Sequence, residues 1–576
     1  MRSTGELGRI PANRKAQALA SLQPDGPLSF AVGKGWRALQ RGEWTEARRQ
    51  FERSLAVEET AEAWEGLAWA AWWLSDATLL FDAREQAYRS YRARGNDRGA
   101  ARCAMWLAID SVEFRNDGAV ANGWMQRARR LLKRHAQSVE AAWLAACEAH
   151  HALMADKNPV TAQRLATEAA SIGEALRIID VEMLGRALEG LALVSQGQVR
   201  DGMRLLDEAT AAVVAGEVAD RQAIGLACCY LIFACERVRD YARAAQWCDR
   251  VKQFCRRWRF TMLFAVCRTQ YAGVLMWRGQ WAEAEAELQA AARELTAIRP
   301  ALASAATARL ADLRRRQGRW DEAAALFERV ETSTVALLGR AEMALDRGDP
   351  RAAVEFAERY LRRYAQEARA ERVSGLEVLT RACAALGDLV RARDALRQLE
   401  DTVQAVAAEP LQAFVRFATG AVAACSGDHA EARAAFEDAA DLFARFEAPF
   451  EEGRARLELG RALAATRRRD AAAAELRTAA GLLRALGAAR EADRADALLR
   501  QVSSPGTQAA DPVARLTGKE LEILKMTAQG LTDKEIAARL HRSEHTIHRH
   551  VANILLRLDL PSRTAAVAYA LREGLL

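Results

Sequence analysis

The sequence predicts an all-α protein, a long array of paired helices followed by a small four-helix domain at the C-terminus. Three observations carry the prediction. The chain of 576 residues is 51% hydrophobic but only 7% aromatic, with 11 Pro in all. It is rich in Ala, Leu, Arg and Glu, the residues that head the helix-propensity ranking, and no stretch alternates with a period of two. A Gly-centred motif recurs along most of its length. Finally, four helix-start signals fall within the last 62 residues. A chain this long exceeds one hydrophobic core, so several units or a repeat array are expected.

The recurring motif reads Gly42-Glu43-Trp44-Thr45-Glu46-Ala47 with Phe51 following. It returns as Gly279-Gln280-Trp281-Ala282-Glu283-Ala284, as Gly318-Arg319-Trp320-Asp321-Glu322-Ala323 with Phe327, and as Gly427-Asp428-His429-Ala430-Glu431-Ala432 with Phe436. Weaker copies begin at Gly197, Gly348 and Gly387, and Arg239-Asp240-Tyr241 opens one without the Gly. Gly279 and Gly318 lie 39 residues apart, Gly348 and Gly387 39, and Gly387 and Gly427 40, while Gly318 to Gly348 is only 30. Gly supplies the left-handed turn that ends one helix. The following Trp and Phe then pack on the previous helix, and Ala allows close approach. One helix pair cannot bury its apolar face alone, so successive pairs stack.

This array resembles the tetratricopeptide repeat family, in a longer-period form than its 34-residue consensus. The resemblance covers about residues 30–500 and implies an α-solenoid; the longer period implies longer helices or loops. Trp64, Trp69, Trp72 and Trp73 fall in one segment and read as a helical core stripe, with a ligand-lining role as the alternative. The expected domains are a polar segment 1–29, the array 30–500, a linker 501–514 marked by Ser503-Ser504-Pro505-Gly506-Thr507 and Asp511-Pro512, and a domain 515–576.

The C-terminal domain is punctuated in order. Thr517-Gly518-Lys519-Glu520 and Thr532-Asp533-Lys534-Glu535 are capping boxes, in which the Thr hydroxyl accepts from a backbone N–H and the Glu reaches back. Gly530 ends the first helix, Ser543 caps a third, and Pro561-Ser562 starts a fourth. On a helical wheel the third helix, about Glu544 to Arg557, aligns Ile547, Val551, Ile554 and Leu558 in one apolar stripe within about 60°. His545, His548, Arg549 and Ala552 point the other way. A helix with an apolar rear, a polar front and a tight turn before it suits a major groove, and small Ala552 permits close approach to base edges.

The residues Leu516-Thr517, Glu520, Leu524, Gly530, Thr532, Lys534-Glu535-Ile536-Ala537, Leu540, Ser543, Thr546-Ile547, His550-Val551, Ile554, Leu558, Ser562-Arg563 and Gly574-Leu575 make this tail similar to the LuxR-type helix-turn-helix over its whole length. The resemblance implies sequence-specific binding of double-stranded DNA. It implies a second helix, about Asp533 to Leu540, crossing the backbone, a recognition helix in the major groove, and a fourth helix, about Arg563 to Arg572, that mediates dimerisation. By position, Thr532, Lys534, Thr546 and Arg563 are expected at phosphates, with Ser543 at the helix start, and His548, Arg549 and Ala552 at bases. The family usually has Lys where His548 stands and Asn where Asp533 stands, so base preference is not transferable from relatives. Arg549 is the residue able to pair bidentately with a guanine.

Other classes are excluded in turn. The net charge of +7 is mild, although the last 62 residues carry 10 Lys/Arg against 7 Asp/Glu. No GxxxxGK[ST] occurs, so no ATPase module is expected before the repeats. Carboxylates lie at helix-surface spacing, so no catalytic residues and no cofactor are expected. His150-His151 reads as polar filler. The ten Cys are scattered apart from Cys228-Cys229 and read as core residues of a reducing cytoplasm. His541 and His545 have metal-like spacing but sit on either side of a turn, so no metal is expected. Met1 to Lys15 lacks the apolar region of a secretory signal, and the longest apolar run, Gly225 to Cys235, has 11 residues where a span needs roughly 18–20. The expectation is a cytoplasmic transcriptional regulator, homodimeric at least on DNA, with no membrane association. RNA polymerase and a protein, peptide or small-molecule signal bound by the array are its expected further partners. The rival is a repeat scaffold localised by its DNA-binding tail.

Overall fold

The computed structural model describes residues 29–248, 261–503 and 516–572, apart from the single positions 332, 559 and 561. All regular elements among these residues are helical. They form two compact units: the first comprises the described residues up to Ala272 with Ala286–Arg309 and Arg362–Glu371, the second Gly273–Glu285, Leu310–Leu361 and Arg372 onward.

The first unit opens with hairpin partners α1 (Phe30–Arg41) and α2 (Trp44–Leu55), followed by α3 (Ala61–Leu74), α4 (Ala77–Ala93), α5 (Asp97–Arg115), α6 (Gly118–Leu132), α7 (Val139–Met154), α8 (Pro159–Leu176), α9 (Ile179–Gln196), α10 (Val199–Ala215) and α11 (Arg221–Val238). Helix starts are chemically marked: the side chains of Thr60, Asp76, Asn96, Asp117, Ser138 and Asn158 each accept from a backbone N–H in the first turn. Between α1 and α2, Gly42 has φ +78°, and Arg239, which opens the copy lacking Gly, takes φ +61° instead. In the first copy the Phe of the motif packs on the previous helix as expected, whereas Trp44 stacks on Trp73 of the helix that follows. Phe51 is fully buried, and it fits only because Gly35 and Gly66 face its ring. The Trp-rich segment is core: Trp69 and Trp72 are buried, Trp69 lies edge-on to Trp106 at 4.8 Å, and Trp73 stacks on Trp44 at 4.5 Å.

Buried charges link successive pairs in this unit. Arg102 donates to Glu65 at 2.6 and 2.8 Å and to Glu140 at 3.1 Å, while the Tyr91 hydroxyl donates to Glu65 at 2.8 Å. Within this network the Arg102, Glu65 and Glu140 charges are all paired, which offsets part of the cost of burying them. His150, paired in sequence with His151, has its Nδ1 2.7 Å from the Tyr230 hydroxyl, and burial lowers its pKa to about 4.

Helices α12 (Thr261–Trp277), α13 (Trp281–Ile298) and α14 (Pro300–Arg316) contribute segments to both units. The second unit continues with α15 (Trp320–Glu328), α16 (Thr334–Asp346), α17 (Pro350–Leu361), α18 (Arg369–Leu386), α19 (Leu389–Val406), a 3₁₀ turn (Glu409–Leu411), α20 (Gln412–Ser426), α21 (His429–Arg445), α22 (Pro449–Ala465), α23 (Arg469–Leu486) and α24 (Ala489–Ser503). The period near 40 comes mainly from helix length: α18 and α19 have 18 residues each, joined by a two-residue turn. The short interval from Gly318 to Gly348 is filled by a 9-residue α15 and a 13-residue α16. Phe327 rests against Gly339 and Phe436 against Gly420, repeating the Phe51 arrangement. The helix α24 runs to Ser503, past residue 500, and most of the expected linker 501–514 lies outside the described residues. So does the expected segment 1–29, save its last residue.

Candidate nucleic-acid interface

After the undescribed linker come α25 (Gly518–Ala528), α26 (Asp533–Arg539), α27 (Glu544–Arg557) and α28 (Arg563–Arg572). Local chemistry sets each start. Thr517 Oγ1 accepts from the Glu520 N–H at 3.2 Å while the Thr517 N–H donates to Glu520 Oε2 at 2.9 Å. Thr532 and Glu535 repeat this box at 3.3 and 2.7 Å, and those bonds hold Glu535 below its usual carboxylate range. Ser543 accepts from the Thr546 N–H at 3.2 Å, and Ser562 accepts from the Ala565 N–H at 3.2 Å. Gly530, with φ +88°, follows α25; His541, with φ +52°, makes the turn between α26 and α27, so it shares no helix with His545. The predicted stripe Ile547, Val551, Ile554 and Leu558 is buried with Leu516, Ile523, Leu524, Ile536, Ala566 and Tyr569 in one core.

The turn α26–α27 therefore presents α27 with a fixed polar front. His545, His548 and Ala552 are exposed, as is Leu556 farther along the same face. The His548 side chain is 79% exposed and has its Nδ1 3.3 Å from Asp533. Thr532, the N-cap of α26, and Lys534 in its first turn are exposed. Arg563, at the start of α28, pairs with Asp533 and donates to the Leu531 carbonyl at 2.7 Å. Thr546 is buried, its hydroxyl 2.7 Å from that of Ser543. Gly574 and Leu575 lie outside the described residues.

Arg549 is the exception to a free front. It leaves the core of its own domain as expected, but its guanidinium lies 2.6 Å from Asp441 of α21 and 3.8 Å from Glu452 of α22. Its neighbour His550 places Nε2 2.8 Å from the same Asp441. Burial alone would raise the Asp441 pKa; the His550 hydrogen bond and the charges of His550, Arg549 and Arg456 hold it below the usual range. On the same flank Arg542 reaches Asp438 at 2.6 Å, and Lys519 pairs with Asp438 as well. Burial lowers the Lys519 ammonium to about 8. Arg557 completes the row, pairing with Glu475 of α23 and with Glu520. Glu475 also holds Arg456 at 2.8 Å; despite burial, the two guanidinium groups keep it down at about 2.

Sequence reasoning did not find this flank. Asp438 and Asp441 are three residues apart and so share a face of α21, yet that pattern is ordinary on helix surfaces and names no partner.

Residues 514–570 match the family described as bacterial regulatory proteins, luxR family. The C-terminal segment is a LuxR-type helix-turn-helix domain. The response regulator protein VraR of Staphylococcus saprophyticus is 41% identical over 69 residues, covering 12% of this chain and 33% of VraR. The nitrate/nitrite response regulator protein NarP of Escherichia coli is 43% identical over 63 residues, covering 11% of this chain and 29% of NarP. The chain thus spans about a third of the length of these relatives, at the LuxR-type domain. Among solved structures, a chain of the APC/C hetero-tetramer Cut9–Hcn1 aligns over 86% of this chain and 99% of its own, with 12% identity and a TM-score of 0.40. A Rap protein complexed with competence and sporulation factor aligns over 66% and 97%, with 13% identity and a TM-score of 0.35. Ahead of the LuxR-type domain, the tetratricopeptide-like array is read from its own helix order and Gly-ended turns.

Among the described residues no helix is long and apolar enough to cross a membrane, and no cluster of His, Cys, Asp or Glu could hold a metal ion.

Proposed function

We propose that this protein is a sequence-specific, DNA-binding transcriptional regulator whose helical array receives a signal. One observation carries the reading: a LuxR-type domain whose α27 shows a polar, small-residue face of His545, His548 and Ala552 to solvent while its apolar face is consumed by the core. In this reading Lys534, Thr532 and Arg563 meet phosphates, which fix register without reading sequence. Ser543 and Thr546 order the start of α27 at the backbone, and His548, Arg549 and Ala552 meet base edges. Of these three, Arg549 alone carries a planar fork that can pair bidentately with a guanine, so discrimination rests on Arg549.

Two such domains pair through α28, which exposes Leu571, and read half-sites about one helical turn apart. The array binds a protein, peptide or small molecule, with RNA polymerase as the downstream partner, in the cytoplasm. Deleting residues 515–576 and measuring genome-wide occupancy alongside transcript levels tests the reading. Loss of occupancy with altered transcripts at the occupied promoters is expected. Lost occupancy with unaltered transcripts would replace it with a scaffold that DNA merely localises.

A further inference from the structure

The geometry points to an acidic ridge on α21–α23 that clamps the basic flank of the recognition helix, so that the domain binds DNA only after this contact opens. The inference rests on the DNA-binding reading above and adds a specific competitor for it. Five cationic or protonatable groups of the LuxR-type domain, Lys519, Arg542, Arg549, His550 and Arg557, meet four carboxylates of the array: Asp438, Asp441, Glu452 and Glu475. Four of the five come from α27 or the turn just before it. On the α27 wheel Arg549, His550 and Arg557 occupy the flank between the base-facing stripe and the apolar stripe, where a helix lying in a major groove meets a phosphate strand. The carboxylates of Asp438 and Asp441 thus stand where phosphate oxygens would stand, with the same charge and the same hydrogen-bonding capacity.

Arg549 makes the two states exclusive. Its guanidinium is three-quarters covered and held by Asp441, itself 7% exposed; it cannot reach a guanine edge without leaving that carboxylate. The base-facing stripe of His545, His548 and Ala552 stays exposed, so the clamp withholds Arg549 and the phosphate flank and leaves the rest of the face in place.

The contact is also built to release. The contacts named above are ion pairs, which salt and competing anions weaken, in keeping with the polar character of interfaces between domains of one chain. It is incompletely satisfied as well. Arg549 Nε, His550 Nδ1 and Glu437 Oε1 are buried and without a hydrogen-bond partner among the described residues. Buried polar atoms left this way favour the open state, in which water or DNA can reach them.

The test uses the full-length chain and a labelled duplex pool of random sequence, for which phosphate contacts alone give affinity. The double variant Asp438→Asn/Asp441→Asn removes two of the ridge's four charges, those facing Lys519, Arg542, Arg549 and His550, while keeping its shape, and neither residue belongs to the proposed DNA-contacting set. If the docked form predominates about ten to one, the variant should bind the pool about tenfold tighter at low salt. Hydrogen exchange across residues 542–557 should speed up in the DNA-free variant. Equal affinity of wild type and variant, with unchanged exchange, would overturn the clamp while leaving the DNA-binding reading intact. Binding by neither protein, at any salt, would instead overturn the DNA-binding reading. Should the double variant fold poorly, Glu452→Gln, which faces Arg549 at 3.8 Å, provides a milder version with the same expected direction.

Discussion

Gly420→Ala and Gly481→Ala make the same chemical change in helices of the same unit, and the structure predicts effects of opposite sign. Both glycines lie inside helices, α20 and α23, where Ala is favoured over Gly by about 1 kcal/mol. A Cβ at Gly481 meets nothing within 4 Å, so the propensity gain stands, and Gly481→Ala should stabilise α23 by about 0.5–1 kcal/mol. A Cβ at Gly420 would lie 2.7 Å from Phe436 Cδ1 and Cε1, well inside ordinary carbon contact. The ring cannot swing aside freely: Phe436 is 2% exposed and lies edge-on to Phe417 at 5.6 Å. Overpacking of this kind costs about 1–3 kcal/mol, which exceeds the propensity gain over most of that range, leaving Gly420→Ala destabilising by about 1 kcal/mol. Repeat arrays need not unfold in one step, so the assay is native-state hydrogen exchange resolved to α20, α21 and α23. Adding Phe436→Leu to Gly420→Ala should recover part of the loss, with a coupling above about 0.5 kcal/mol. Stabilisation by both single substitutions would refute the argument that Phe436 occupies the space of the missing side chain.

Arg549→Ala should lower the preference for a selected site over a scrambled one by about 1–3 kcal/mol, while Lys534→Ala weakens both sites alike; equal losses on both sites for Arg549→Ala in salt-titrated binding would defeat the assignment. Glu475→Ala takes from the buried Arg456 and Arg557 the carboxylate they share and leaves each one partner, Glu452 and Glu520, so the cost stays below the ~3–5 kcal/mol of an uncompensated buried charge; protection of residues 544–557 against exchange should fall, and unchanged protection would contradict the pairing. His150 bears on pH. Its folded pKa, about 4, lies below the ordinary imidazole value of 6.5, so the unfolded chain binds the extra proton between those values. The contribution is therefore complete above pH 6.5 and is lost as pH falls toward 4, amounting to at most about 3 kcal/mol. Raised carboxyls such as Asp220, pushed by burial to about 7, titrate nearby with the opposite sign. The difference between wild type and His150→Gln is thus the proper measure, and it should shrink by that amount on acidification; a difference constant from pH 7 to pH 4 would sink the prediction.

The local elements were legible in the sequence because their signals are themselves local. Capping boxes at Thr517 and Thr532 and the Ser543 cap require partners only three residues away, and the Ile547–Leu558 stripe needs only helical periodicity, so α27 is found at Glu544–Arg557 as expected. The Gly motif worked for the same reason. The left-handed turn it demands is a property of one residue, and Arg239 shows that the fold keeps the turn where the Gly is absent. The glycines facing Phe51, Phe327 and Phe436 carried a signal that could have been used, since a helix-interior Gly is costly unless something fills its space.

What periodicity could not give is the partner of each exposed charge. Arg549 belongs by pattern to a DNA-facing front, and its wheel position away from its own core is right. Only the tertiary arrangement sets Asp441, 108 residues earlier, against it. Coulombic pairing depends on distance in space, and Asp438, Asp441, Glu452 and Glu475 are indistinguishable in the sequence from the many carboxylates that simply face water. The sequence by itself determined a helical array with a LuxR-type domain and the face that domain presents. The packing of α21–α23 against that domain decided which of its cations are already engaged.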